Sequence, residues 1–459
     1  MPPRPAGSDE INTPLQKSRK PTQRERLLRG MVTVANRDGY AGASVSQVIG
    51  EAGVSRPTFY DYFKDRDDCF RAAILEVHAR LLGELHGAVE VAPAQEALGA
   101  AVSATLRFAL AEPGDARFLM KESLAGGPGA LDARDRGIRE SAELVERAVE
   151  RSSADALAPD VPVAAVLGAL QRLLASRLRR GERAPGALEQ ELLAWLHSYD
   201  APVAALRWRA LEQHAAPERS PYLPPTSLRP PAKLPAGRPR LPPEEILENQ
   251  RRRVMFATAQ VVQERGYTAA TIAEIIKRAG VEGRRFYLLF ADKQEAFGAI
   301  HELGFQYLMA ATAGAFFAGE SWPQRIWEAF RATTQSIDDT PAFAHIAFVE
   351  AYAVGPGAIQ RVEDSRAAFT IFLQEGYRYQ DASQTPPRVA LEAIVTTIFE
   401  IVYLETRARG EGTAGLLALL VHMCLAPFMG AAASDELIDA QLAAMRPAGS
   451  GEQRGVRAT

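Results

Sequence analysis

Two cysteines, Cys69 and Cys424, are all that 459 residues contain. This rules out a disulfide framework and any multi-cysteine zinc site, and it fits a reducing compartment. Neither sign of charge is in excess: 53 Lys and Arg stand against 56 Asp and Glu, for a net charge of −3. No whole-chain field draws the protein to nucleic acid, so any such binding rests on local patches. The seven histidines are scattered without metal spacing, and no Walker loop, GxSxG, GxGxxG or HExxH motif occurs. Neither a metal, nor a cofactor, nor an enzymatic reaction is therefore expected. The opening "MPPRPAGSDEINTPLQKSRK" lacks the apolar core of a signal peptide, so a cytoplasmic location is expected. One long uncharged run exists, "GLLALLVHMCLAPFMGAAA" from Gly415 to Ala433. With His422 and Pro427 inside it, it reads as a buried interface helix, and no membrane association is expected.

What is present is a repeat. The length exceeds what one core sustains, and aligning Arg24–Phe70 with Arg251–Phe297 needs no gap and gives 15 identities in 47 positions. They include Gly39/Gly266, Tyr40/Tyr267, Ala52/Ala279, Gly53/Gly280, Phe59/Phe286, Tyr60/Tyr287 and Phe63/Phe290. Farther on, "GPGA" recurs at Gly127–Ala130 and Gly355–Ala358, each with a glutamate five residues upstream, Glu122 and Glu350. The register drifts only from 227 to 229 residues, so a whole unit is duplicated. Between the copies, Pro217–Pro243 holds ten prolines in 27 residues, which predicts a semi-stiff extended spacer. Elsewhere apolar residues recur at helical spacing, as in Val163, Val166, Leu167, Leu170, Leu174 and Leu178, and both halves read as all-α.

Within the first repeat, "QRERLLRGMVTVANRDGY" predicts an amphipathic helix stopped at Gly39. Ser44 N-caps a second short helix. In "EAGVS", Ala52 allows close helix approach and Gly53 can take positive φ. Ser55 caps a third helix with Pro57 in its first turn, leaving Arg56, Thr58, Tyr60 and Tyr62 to project. With Lys64 and Arg66 following, this is a helix-turn-helix whose last helix suits the DNA major groove, preceded by a basic arm containing Arg19 and Lys20.

The pattern "GY…SV..I…AGVSRPTFYDYF.DR…F" resembles the N-terminal DNA-binding domain of TetR-family transcriptional regulators. The resemblance covers residues 21–81 and 248–308. It implies an all-α tandem duplication, each half a three-helix helix-turn-helix domain followed by a helical ligand-binding and dimerisation domain. The expected divisions are a basic disordered arm (1–20), the first DNA-binding domain (21–81), its helical domain (82–200), the Pro-rich linker and second arm (201–247), the second DNA-binding domain (248–308), its helical domain (309–434) and a disordered tail (435–459). It also implies a ligand-responsive repressor of double-stranded operator DNA, associated with the nucleoid, and an unknown small-molecule effector. By position, Arg56, Pro57 and Thr58 match base-edge residues, while Tyr60, Tyr62 and Arg66 match phosphate contacts; Ser44, Ser55 and Lys64 are further candidate DNA contacts.

The second copy departs from that pattern. Glu282 stands at the cap position of Ser55 and Leu289 at that of Tyr62. Thr271, Arg284, Arg285, Tyr287 and Lys293 remain candidate DNA contacts. "AGRPRLPP" ahead of it either resembles an AT-hook, with Arg238 and Arg240 at the minor groove, or is a spacer with incidental arginines. Ligand-pocket candidates are polar residues in apolar helices: Arg117, Met120 and Glu122 in the first half, and His345, Glu350, Tyr352, Tyr403 and Glu405 in the second. Two arrangements stay open. Helices Val163–Arg179 and Leu188–His197 can pair with Val389–Arg407 and Gly415–Met429 as a pseudo-dimer within one chain, or whole chains can form a homodimer with four helix-turn-helix units.

Overall fold

The structure, a computed structural model, describes residues 21–181, 186–211, 217–224, 228–234, 241–379, 385–408 and 412–445. The N-terminal arm with Arg19 and Lys20, and the segment with Arg238 and Arg240, lie outside the described residues.

The first half runs α1 (Gln23–Gly42), α2 (Val45–Ala52), α3 (Arg56–Tyr62), α4 (Arg66–Val91), α5 (Ala97–Ala111), α6 (Pro113–Lys121), α7 (Pro128–Val149), α8 (Val163–Arg179), α9 (Gly186–His197) and the short α10 (Trp208–Leu211). The second runs α11 (Pro243–Arg265), α12 (Ile272–Ala279), α13 (Gly283–Leu289), α14 (Lys293–Phe316), α15 (Trp322–Asp338), α16 (Pro341–Ala344), α17 (Ala351–Val354), α18 (Pro356–Phe369), α19 (Ala390–Ala408), α20 (Leu417–Met429) and α21 (Ala431–Ala444). The all-α, duplicated reading holds. Among the described residues the exception is a short antiparallel pair, β1 (Leu157–Pro159) with β2 (Asp200–Pro202), which pins the α7–α8 connection against the end of α9.

In each half the long fourth helix, α4 or α14, carries the DNA-binding domain on one end and packs along the body with the other. A core of Leu, Val and Ala side chains runs without a break from the first half into α15, α19 and α20 of the second. At the seam α8 packs along α19, and Tyr199, just after α9, donates its hydroxyl to the Met423 carbonyl in α20 at 2.7 Å. The uncharged run is thus accounted for: Leu417 to Phe428 is buried inside the protein. Among the described residues no helix is long and apolar enough to cross a membrane.

The seam carries ion pairs in matched positions. Arg179 of α8 binds Glu363 of α18, and Arg407 of α19 binds Asp135 of α7 at 3.3 Å. Members of the two pairs are related by the same 228-residue spacing, the signature of an isologous contact about a pseudo-two-fold axis. Arg177 adds a bond to Glu392 at 2.9 Å.

Two expectations are corrected. The proline-rich linker is not a free spacer where it is described. Ser220 is buried and donates its amide to Gln335 at 2.7 Å, Gln335 donates back to the carbonyls of Pro217 and Glu218, and Leu223 packs on Ala311, Ala315 and Ala332. Its unpaired carbonyls, which no helix or strand can use, are satisfied by α15. The tail expected from residue 435 begins instead inside α21, because Ile438 is fully buried and Arg207 holds Asp439 at 2.8 Å.

Candidate nucleic-acid interface

Local chemistry sets both helix-turn-helix units. Thr22 and Glu25 form a reciprocal capping box at the start of α1. Gly39, at φ 73°, breaks that helix, and Gly266, at φ 77°, ends α11 at the matching place. Ser44 and Gln47 box α2, as Thr271 and Glu274 box α12. Each turn passes through a left-handed glycine, Gly53 or Gly280, both at φ 61°. An arginine of the first helix staples the turn: Arg26 donates to the Gly53 carbonyl at 2.8 Å, and Arg253 to that of Ala279.

The third helices divide their faces as a recognition helix must. In α3, Phe59 and Phe63 are buried, whereas Tyr60 is 49% and Tyr62 44% exposed. Arg56 is exposed and lies 5.8 Å from the Tyr60 ring centroid. Ser55 accepts the Thr58 amide at 3.3 Å, with Pro57 in the first turn, and Lys64 is exposed just beyond the helix. In α13, Phe286 and Phe290 are buried while Arg284, Tyr287 and Leu288 face out, with Arg285 half-buried. Glu282 makes no capping bond, so the first amides of α13 lack the partner that Ser55 supplies to α3.

Arg66 and Lys293, candidate DNA contacts, are engaged within their own domains. Arg66 points at the carbonyls of Tyr40 and Ala43 (3.4 and 3.3 Å), 4.4 Å from the Tyr40 ring centroid. Lys293 donates to the carbonyls of Tyr267 and Ala270 at 2.6 and 2.8 Å, 4.2 Å from the Tyr267 ring. Burial pushes its ammonium below the ordinary lysine value. Both cations seal the corner between the first two helices.

The same corner is gripped from the body. Buried Glu122 accepts the Tyr40 amide at 3.2 Å, and Glu350 accepts the Tyr267 amide at 2.7 Å. Glu350 lies 3.3 Å from His345 across a single π-helical turn, His345–Glu350. Glu122 and Glu350 were expected in a ligand pocket. They act instead as clamps between body and DNA-binding domain, and their recurrence ahead of "GPGA" in both halves was the sequence signal for it.

The other pocket candidates also lie elsewhere. Arg117 is exposed and Met120 sits in the core. Tyr352 and Tyr403 flank Arg172, with ring centroids 4.8 and 4.6 Å from its guanidinium carbon. Tyr403 also donates to Asp135 at 3.0 Å, across the seam. His345 and Glu405 line a broad surface cleft. A charged side chain packed against two aromatic rings is a strong structural contact, so Tyr352 and Tyr403 mark the seam, while His345 and Glu405 do border a cleft.

The family model described as bacterial regulatory proteins of the tetR family matches residues 27–73 and 255–300. Both copies are TetR-type helix-turn-helix domains. An HTH-type transcriptional regulator of Bacillus subtilis (strain 168), YdgC, itself uncharacterised, is 32% identical over 65 residues, or 14% of this chain. The chain spans 33% of that relative's length. Among solved structures, a tetR-family bacterial regulatory protein from Rhodococcus RHA1 is 19% identical with a TM-score of 0.34, covering 39% of this chain and 96% of that one. The fatty acid degradation regulator FadR from Bacillus halodurans is 16% identical with a TM-score of 0.32, covering 42% and 98%. The TetR-type matches bracket the segments in which Arg56 and Tyr60, and Arg284 and Tyr287, project outward, with Thr58 and Arg285 half-buried beside them.

Proposed function

We propose that this chain is a sequence-specific, non-enzymatic transcriptional regulator that acts on operator DNA in the cytoplasm, releases it on binding a small molecule, and uses its two helix-turn-helix units as a pseudo-dimer within one chain. The observation that carries the pseudo-dimer is the matched pair of seam contacts, Arg179 with Glu363 and Arg407 with Asp135. A covalently joined pair can diverge, so "SRPTFYDY" and "EGRRFYLL" would read unlike half-sites about one turn apart. The first unit supplies Arg56, Thr58, Tyr60, Tyr62 and Lys64; the second supplies Arg284, Arg285 and Tyr287.

A second reading is favoured by one observation, the uncapped start of α13 beside exposed Leu288. In it the first unit alone reads bases and the second positions the chain. Selection of bound sites from a random duplex pool with the intact protein at fixed salt separates the two. Two unlike half-sites support the proposal; one half-site with a featureless flank supports the second reading; no enriched sequence overturns both.

A further inference from the structure

The halves differ in how their bodies are filled. In the second half, two adjacent cavities share Leu308, Ile337, Phe348, Phe369 and Phe399. The larger is a slot of about 620 Å³, counted out to its mouth, walled by apolar side chains. Neither cavity is lined by an Asp, Glu, Lys or Arg.

Register explains why the slot is there. His301, Gly304 and Ser336 line the smaller cavity. At the corresponding positions, 227 residues back along α4 and 228 back along α5, the first half has Ile74, Val77 and Phe108, all buried. Phe108 fills there what Ser336 leaves open here, whereas the room at Gly304 is taken by the Phe343 ring.

The lining of the smaller cavity includes polar groups but no charged one. His301 is 4% exposed, and its Nδ1 is buried with no hydrogen-bond partner. Burial, with a smaller contribution from Arg361, pushes its pKa down to about 4, so the ring is neutral at physiological pH. Ser336, Thr340 and Ser365, in the same lining, each spend their hydroxyl hydrogen on a backbone carbonyl (2.7 Å in every case). Their oxygens remain as acceptors. A buried, unpaired ring nitrogen is costly unless something meets it.

Resting on the reading of the chain as a ligand-responsive regulator, we infer that effector binding belongs to the second half alone. The ligand is one uncharged, slender apolar molecule per chain, whose hydroxyl end bonds His301 Nδ1. An alcohol hydroxyl satisfies either tautomer of a neutral imidazole: it donates its one hydrogen to a bare Nδ1, or accepts from Nδ1–H and donates that hydrogen to one serine or threonine oxygen. A carboxylate only accepts, and it would enter a lining that holds no cation. The duplication thereby assigns sensing to one copy.

The test is titration of the intact chain with decan-1-ol and, separately, with decanoate, read by calorimetry and native mass spectrometry. The expected result is saturation at one decan-1-ol per chain, with decanoate about tenfold weaker or more. His301→Ile, which copies the first half, should erase that preference. If His301→Ile does not fold, imidazole nitrogen NMR on the unaltered chain decides, since decan-1-ol must shift His301 Nδ1. Two molecules per chain, no saturable binding, equal or tighter decanoate binding, or an unmoved His301 overturns the inference. Duplex binding by the ligand-free chain is measured in parallel: if it succeeds while decan-1-ol fails, only this inference falls, and if the reverse holds, the regulatory reading falls.

Discussion

Arg172 of α8 and Glu400 of α19 face each other, fully buried, at corresponding positions of the two halves. Their 228-residue separation is the one that relates Glu122 to Glu350 and Arg179 to Arg407. The pair therefore lies near the pseudo-two-fold axis, where a symmetric dimer would place a residue against its own copy. Arg134 donates to the same carboxylate at 2.8 Å, and Gly168 leaves room for it, since a Cβ there would sit 2.3 Å from Glu400. If one half met the same half of another chain, arginine would face arginine and glutamate glutamate, both buried. The charge exchange favours pairing within the chain and works against pairing between copies.

Removing one partner should be costly. Arg172→Ala leaves Glu400 with Arg134 alone and strips the cation from between Tyr352 and Tyr403. A loss of about 3–5 kcal/mol is expected in denaturant unfolding. Arg172→Glu should be worse, and adding Glu400→Arg should recover part of the loss.

The seam should also respond to acid in a defined direction. Burial by itself raises the Glu400 carboxyl, but Arg134 and Arg172 together outweigh it and hold it below the ordinary glutamate value of 4.5. A depressed folded-state pKa contributes stability that is present above the unfolded pKa and lost as pH falls through the folded one. The Tm advantage of the unaltered protein over Glu400→Gln should hold at neutral pH and shrink as pH falls below about 4.5.

Glu122→Ala and Glu350→Ala should each free a clamped corner. The expected cost is about 1–3 kcal/mol for a buried amide left without its acceptor. Hydrogen exchange at Tyr40 should accelerate in the first variant and at Tyr267 in the second, each without the other.

Lys64 and Arg66, two residues apart, should behave differently. Lys64→Ala should weaken duplex binding across all sequences and reduce the salt slope by about 1. Arg66→Ala should lower Tm through the loss of its bonds to Tyr40 and Ala43, with little change in salt slope.

The duplicated helix-turn-helix was legible because its signals are local: a cap at Ser44, a left-handed Gly53, a proline in the first turn of α3, and aromatic spacing that survives in both copies. The seam was legible in outline, since Val163–Arg179 and the uncharged run before Gly430 had to be covered. Its chemistry was not. Arg172 meets Glu400 only after α8 and α19 cross, and nothing within either helix marks which polar residue will be opposed. The same holds for Tyr403, Glu122 and Glu350, whose partners lie 80 or more residues away. The slot at His301 was missed because the small residue beside it, Ser336, shows its effect only against its larger counterpart Phe108. The tail was misjudged because Ile438 and Asp439 anchor α21 through contacts made elsewhere in the chain.

The most direct test of an intramolecular pseudo-dimer is the mass of the protein–DNA complex, by sedimentation equilibrium on a duplex carrying one selected site. One 49.8 kDa chain per duplex, with both half-sites protected, is the predicted result. Two chains per duplex, each protecting one copy of the same half-site, would contradict it.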